Sequence, residues 1–253
     1  MKEMTRIRHR RRAARAAWPA CVVTCLCLAG PAAFAQSFNI DFDSPGAPPE
    51  LGGGAPSAAF GAAAGQPGYW NPVWSPYSWN LRDILGRETD VLLITSSLQR
   101  TRGSWNFPGN TGDYAKLLND GEGTNPVGLL TFTGLLAGQY TVTTYSVFPD
   151  WEWQAPTLIS VQGAPPEENP QRVIGPMPGN DFAYLVTHSI HHATVTNGEL
   201  VIDFRADPAG RGSMVNGLQI SYVPEPATLI GLTSGLAVLV SLRRRGGRAV
   251  SGG

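Results

Sequence analysis

The sequence predicts an all-β body, a single β-sandwich, set between two end segments that address the chain rather than fold it. Three observations carry this expectation. From residue 36 to 222 short apolar runs are punctuated by Gly, Pro, Asn and Asp, with few helical periods. A basic stretch and then an apolar one precede this body. Behind it comes a charge-free run of sixteen residues closed by arginines.

Met1 to Arg15 hold seven basic side chains (Lys2, Arg6, Arg8, Arg10, Arg11, Arg12, Arg15) against Glu3, and Trp18 to Leu28 is apolar. That order is the order of a secretory signal peptide, and the apolar run is too short to span ~30 Å of hydrocarbon. The segment closes on Ala33, Phe34 and Ala35, whose small first and third side chains suit a signal peptidase cleft. Cleavage between Ala35 and Gln36 is expected, with residues 1–35 removed and signal peptidase as a partner. Cys21, Cys25 and Cys27 all fall in this piece, so the mature chain is expected to carry no thiol. Thr24 and Leu26 stand where a lipoprotein needs a small residue before its cysteine, and Ala13-Ala14 follow Arg10 to Arg12 where a twin-arginine signal prefers bulky apolar residues. General secretion is the expected route.

In the body, Phe38, Ile40 and Phe42 alternate with Asn39, Asp41 and Asp43, which puts an apolar face and a carboxylate-bearing face on one strand. Residues 44–80 are rich in Gly, Ala and Pro and then in aromatics, as in Gly68 to Trp74, and read as a long loop or irregular edge. Further strands are expected at Val91 to Thr95, Leu129 to Thr133, Tyr140 to Phe148, Thr157 to Val161, Tyr184 to Val195, Leu200 to Arg205 and Leu218 to Tyr222. Gly134 to Gly138, Asn197-Gly198 and Asn216-Gly217 supply turns before three of them. Tyr114 to Leu118 is the one helical hint. Seven or eight strands suit a sandwich, and the lack of an internal period argues against a solenoid or propeller. The stretches Gly134-Leu-Leu-Ala-Gly-Gln-Tyr-Thr-Val142 and Val215-Asn-Gly-Leu-Gln-Ile220 are similar to galactose-binding-like jelly rolls. That resemblance implies a jelly-roll-like sandwich, a fold in which sugar binding is common but far from universal.

From Val223 the chain reads as a tail: Pro224, Glu225, Pro226, an uncharged run 227–242, and Arg243, Arg244, Arg245 with Arg248 beyond. A helix of that run rises about 24 Å, enough for a thin bilayer only, and the arginines prefer the cytoplasmic face, leaving the body outside. Both prolines lack an N–H and bias the preceding residue toward extended backbone that a protease can grip. In motif, span and arginine stop, residues 223–253 resemble the PEP-CTERM sorting signal of Gram-negative bacteria. The resemblance implies a transient attachment to the inner membrane, processing by an exosortase near Pro224 to Pro226, and delivery to the cell surface or extracellular matrix. An ordinary single-span anchor, holding the body at the periplasmic face, is the alternative.

Without its ends the chain holds eight basic and seventeen acidic residues between Gln36 and Val223, a net charge of −9 with a single lysine, Lys116. Such a body repels phosphate, and no nucleic-acid partner is expected. Of the tryptophans Trp70, Trp74, Trp79, Trp105, Trp151 and Trp153, the last two share one face of an extended segment beside Asp150 and Glu152. Indole faces match the apolar face of a pyranose and carboxylates take hydroxyl hydrogen bonds, so Asp150, Trp151, Glu152 and Trp153 form the candidate polysaccharide site, weighed against simple core packing. His188, His191 and His192 cluster on an expected edge strand, where only His188 and His192 share a side; they read as solvated, and no metal centre is expected. The run Asn119 to Asn125 offers oxygen donors compatible with a structural Ca²⁺ but lacks EF-hand spacing; no other cofactor is expected. No nucleophile elbow, P-loop or zinc-protease motif occurs, and the body is expected to be noncatalytic, with a secreted glycan-active enzyme as the alternative.

Overall fold

Alternation at the start of the body does form a strand, β1 (Phe38–Asp41), and it sends Phe38 and Ile40 into the core. The computed structural model describes residues 36–74, 78–97, 101–105, 107–124, 127–147, 156–175, 179–207 and 212–224. They lie in one compact unit spanning Ala35–Glu225. The expected span 227–242, the arginines Arg243 to Arg245, Glu225, Pro226, Ala33, Ala35 and the Asp150–Trp153 segment lie outside them. Among the described residues no helix is long and apolar enough to cross a membrane.

After β1 come β2 (Trp70–Pro72), β3 (Ser78–Arg82), β4 (Glu88–Ser97), β5 (Thr101–Ser104), the short helix α1 (Asp113–Leu118), β6 (Asp120–Thr124), β7 (Val127–Thr133) and β8 (Gly138–Tyr145). The chain then forms β9 (Thr157–Val161), β10 (Gln171–Val173), β11 (His188–Val195), β12 (Glu199–Ala206), β13 (Ser213–Val215) and β14 (Gly217–Val223). A five-stranded sheet has the order β11-β8-β14-β1-β2, a six-stranded sheet β10-β9-β12-β7-β4-β3, and a small third sheet β13-β6-β5. Among these pairs β1–β2 is parallel and the others are antiparallel.

Period-two patterning makes the sandwich. Phe38, Ile40, Tyr140, Val142, Ala193, Val195, Leu218 and Ile220 of the five-stranded sheet share one buried cluster with Leu81, Val91, Leu93, Leu130, Phe132, Ile159, Val161, Leu200, Ile202 and Phe204 of the six-stranded sheet. The opposite face of the five-stranded sheet is covered too, by the 44–69 loop and α1. There Gln219 Nε2 donates to Asn39 Oδ1 (2.9 Å) and to the carbonyls of Gly61 and Gln66 (both 3.1 Å), and the Ala63 N–H donates to the Tyr145 hydroxyl (2.8 Å). These bonds satisfy amides that the strand alternation sends away from the apolar core. A second cluster, Trp70, Leu117, Leu118, Tyr145 and Val147, lies on this side with Phe60, Tyr114 and Phe182 packed against it.

The structure departs from the sequence reading by adding strands β2, β3, β5, β6, β10 and β13, the first two of them reaching into the 44–80 stretch expected as a loop or irregular edge, and at the following residues. The stretch Tyr184 to Thr187 is a turn, with Leu185 at φ 60, and the strand begins at His188. Within the run Asn119 to Asn125, Asp120–Thr124 form strand β6, paired with β5 and β13, and Asn125 lies outside the described residues. His188 and His191 are buried, not solvated: His191 shares the core-facing side of β11 with Ala193 and Val195, and His188 lies against the rings of Phe182 and Tyr184; His192 alone of the three is exposed, and its Nδ1 lies 2.8 Å from Glu168 Oε1.

Candidate functional site

The second cluster surfaces at the end of the five-stranded sheet where β8 finishes and β11 starts, and its rings come from five places in the chain. α1 presents Tyr114, whose ring stacks on Phe182 with centroids 4.9 Å apart and planes 29° apart. Phe60 of the covering loop meets Tyr114 edge-on at 5.0 Å, and Phe182 contacts Tyr145 at 5.4 Å. His188 lies 6.0 Å from Tyr145 and 6.1 Å from Tyr184. Tyr184 stands out, at 53% exposed, while Tyr114 and Phe182 are half-buried.

The turn that carries Phe182 and Tyr184 is held rigidly. Val186 and Thr187 N–H groups both donate to the Ala183 carbonyl (3.1 and 2.8 Å), the Ala183 N–H donates to Thr187 Oγ1 (3.0 Å), and Leu185 N–H donates to the His188 carbonyl (2.8 Å). Ile174 N–H reaches the Leu185 carbonyl at 2.9 Å, tying the turn to the chain just beyond β10. The Tyr184 hydroxyl lies 3.2 Å from Gln171 Oε1, which also accepts the Ile190 N–H at 3.1 Å, so one amide links β10 of one sheet to β11 of the other. On the α1 side Asn180 exchanges two hydrogen bonds with Thr111, at 2.8 and 2.6 Å. The ring surface is thus preorganised, with Thr111, Asn180 and Asp181 exposed around it.

Its electrostatics are mild. Burial pushes the His188 imidazole below its ordinary pKa, which keeps it neutral at pH 7. Burial works to raise Asp113, but hydrogen bonds from Ser57 and Lys116 outweigh it and hold the carboxyl below its usual range. What the arrangement offers chemically is a partly exposed aromatic ledge with a neutral to acidic polar rim.

The sequence-predicted residues fall unevenly around it. Asp150, Trp151, Glu152 and Trp153 lie outside the described residues; the flanking Val147 belongs to the aromatic cluster, and Ser146 N–H donates to the Thr187 carbonyl at 3.0 Å. Trp70 is buried beneath the ledge, whereas Trp74 and Trp79 pair edge-on at 5.5 Å on the far side of the molecule's strand order, by β3. A shallow polar groove of about 520 Å³ there, lined by Asn80, Arg82, Glu88 and Asp90, is crossed by an exposed Arg82–Glu88 pair at 2.8 Å. Gln36 is built into the fold, donating to the Gly134 carbonyl (3.2 Å) and lying 3.0 Å from the Tyr140 hydroxyl; Pro224 directly follows β14. Tyr114, Phe182 and Tyr184 are not legible as site residues in the sequence because their association is tertiary.

Two carboxylates stand apart. Asp41, which closes β1, and Asp120, which opens β6, are fully buried, and Asp41 acts electrostatically on Asp120. Burial first, and then Asp41, pushes the Asp120 carboxyl up to about 11; burial and Asp43 push Asp41 well above its ordinary value, against a lowering by Lys116. Shut off from solvent, this pair is out of reach of a glycosidic bond.

No protein-family model matches the chain, and no curated protein matches it in sequence. Among solved structures the chain is similar to a chain of the plant RALF23–FER–LLG2 complex (13% identity, TM-score 0.39, 75% of this chain and 40% of that one). It is also similar to a family 35 carbohydrate binding module from Clostridium thermocellum (17%, TM-score 0.32, 52% of this chain and 92% of that one). A third is TmCBM61 in complex with β-1,4-galactotriose (12%, TM-score 0.31, 53% and 90%). The chain spans less than half the length of the first of these, and overlap at this level assigns neither family nor ligand.

Proposed function

We propose that the body is a noncatalytic, polysaccharide-binding module of an exported protein. The observation that carries this reading is the ledge of Tyr114, Phe182 and Tyr184: aromatic faces fixed by a hydrogen-bonded turn, half open to solvent and rimmed by amide, hydroxyl and carboxylate groups. Sugar rings stack their C–H faces on such surfaces and give their hydroxyls to such rims. The sequence pattern Asp150-Trp151-Glu152-Trp153, outside the described residues, is a second aromatic and acidic candidate for sugar contact. The order of basic stretch, apolar stretch and Ala33-Phe34-Ala35 supports export through signal peptidase, and the Pro224-Glu225-Pro226 tail supports sorting by an exosortase from the inner membrane to the surface or matrix.

A glycan array tests the binding claim. The released body is expected to bind a subset of polysaccharides without turning any over; appearance of reducing ends in the bound glycan overturns the noncatalytic reading. Intact mass of protein from culture supernatant tests the sorting claim, with both end segments expected to be absent.

A further inference from the structure

β11 is an edge of the five-stranded sheet, eight residues long and without Pro, Gly, Lys, Arg, Asp or Glu. The other edge strands of the two large sheets are blunted by their own make-up. β2 is three residues long and holds Pro72, β10 is three and holds Arg172, and β3 is five and ends on Arg82. β11 has none of these devices. A long uncharged strand that carries Ile190, Thr194 and Val195 is a template on which another strand can pair.

Its outward edge is nonetheless filled from within the chain. Backbone groups on that side come from every second residue, and His188, Ile190, His192 and Thr194 each have a partner there. The His188 carbonyl accepts the Leu185 N–H at 2.8 Å. Ile190 donates its N–H to Gln171 Oε1 at 3.1 Å and its carbonyl accepts from Gln171 Nε2, so one side-chain amide takes the place of a paired residue. The His192 N–H donates to Glu168 Oε2 at 2.6 Å, and the other oxygen of that carboxylate lies 2.8 Å from His192 Nδ1. Thr194 donates its N–H to the Gly163 carbonyl at 3.0 Å, in an approach so close that a Cβ on Gly163, at φ +82, would lie 2.4 Å from the Thr194 oxygen. On the opposite side of the sandwich Asn71 of β2 makes the same pair of bonds to the Arg82 carbonyl and N–H, both at 2.8 Å, but between short strands.

We propose that β11 is a latent self-association surface, complementary to the β11 edge of a second copy of this chain, and that residues 163–171 hold it shut through Gln171 and Glu168. The partner is a second copy because two such edges pair about a two-fold axis, each supplying the N–H and C=O groups the other lacks, and His188–Val195 carries no charge to repel itself. The seal does not require that the aromatic ledge bind a sugar.

Light scattering after size exclusion, from micromolar to submillimolar concentration, reads the mass of the native chain, of the double variant Glu168→Ala with Gln171→Ala, and of Asn71→Ala. The native chain is expected to stay single, and the double variant to double its mass as concentration rises. Asn71→Ala strips bonds of the same kind from short strands, and is expected to lower the melting midpoint without changing the mass. Adding His192→Lys to the double variant places a charge at an exposed position of the edge and is expected to restore the single chain. Amide exchange at Ile190 and His192 is expected to run about tenfold faster in the dilute double variant than in the native chain, and to slow again on association. A double variant that stays single overturns the proposal, as does association that Asn71→Ala shares or that His192→Lys leaves in place. Should the double variant fail to fold, Glu168→Ala alone decides: faster exchange at His192 with a mass that rises with concentration supports the seal, and an unchanged mass overturns it.

Discussion

Tyr184 holds its ring by one hydrogen bond to Gln171 and an edge contact to His188, and most of its face is open. Little packing is lost when it is truncated, so Tyr184→Ala is expected to shift stability by less than about 1 kcal/mol while weakening glycan binding about tenfold, or ~1.4 kcal/mol. Circular dichroism melts beside binding isotherms separate the two effects. His191 behaves differently. Its ring is buried against the sandwich core, and burial lowers its pKa despite the raising influence of Glu168. A histidine whose folded pKa lies below the unfolded value of about 6.5 binds fewer protons folded than unfolded, so its contribution falls as pH drops through and below 6.5. His191→Leu is expected to lose less stability than the native chain between pH 7 and pH 5, read as the difference in urea midpoints at each pH; parallel profiles would refute the assignment.

Elements with strong alternation were legible in the sequence: β1, β4, β7, β8, β9, β12 and β14 coincide with expected apolar runs, and α1 with the one helical hint. The unforeseen strands have no such signature. β6 reads Asp-Gly-Glu-Gly-Thr, β2 contains Pro72, and β10 and β13 are three residues long; neighbours across the sheet, not their own propensity, make them strands. The same logic hid the ledge, since nothing in the local sequence shows that Phe60, Tyr114 and Phe182 meet. Gln171, at the start of β10, is where element-level geometry bears on the site. Its amide oxygen accepts the Ile190 N–H and lies near the Tyr184 hydroxyl, and its nitrogen donates to the Ile190 carbonyl. Gln171→Ala strips partners from a largely buried backbone and is expected to cost about 2 kcal/mol, lowering the melting midpoint by ~4–8 °C, and to loosen Tyr184. An unchanged midpoint would show that β10 and β11 do not need this link.

At the scale of the whole molecule, a folded body begins at Gln36 and its last strand ends at Val223, immediately before Pro224. Replacing Pro224, Glu225 and Pro226 with alanine leaves every strand pair of β14 untouched and preserves the apolar length of 227–242. The full-length form is therefore expected to accumulate in the inner membrane of a host with an exosortase, seen by fractionation and immunoblot; efficient release of this variant would sink the sorting hypothesis. Released native protein is expected to start at Gln36, a point that N-terminal sequencing settles. For the body, the decisive measurement is a calorimetric titration with the polysaccharide that the array binds best, native chain and Tyr184→Ala side by side. An affinity about tenfold lower in the variant, at an unchanged melting midpoint, is the result predicted by binding at the ledge; equal affinities would contradict it.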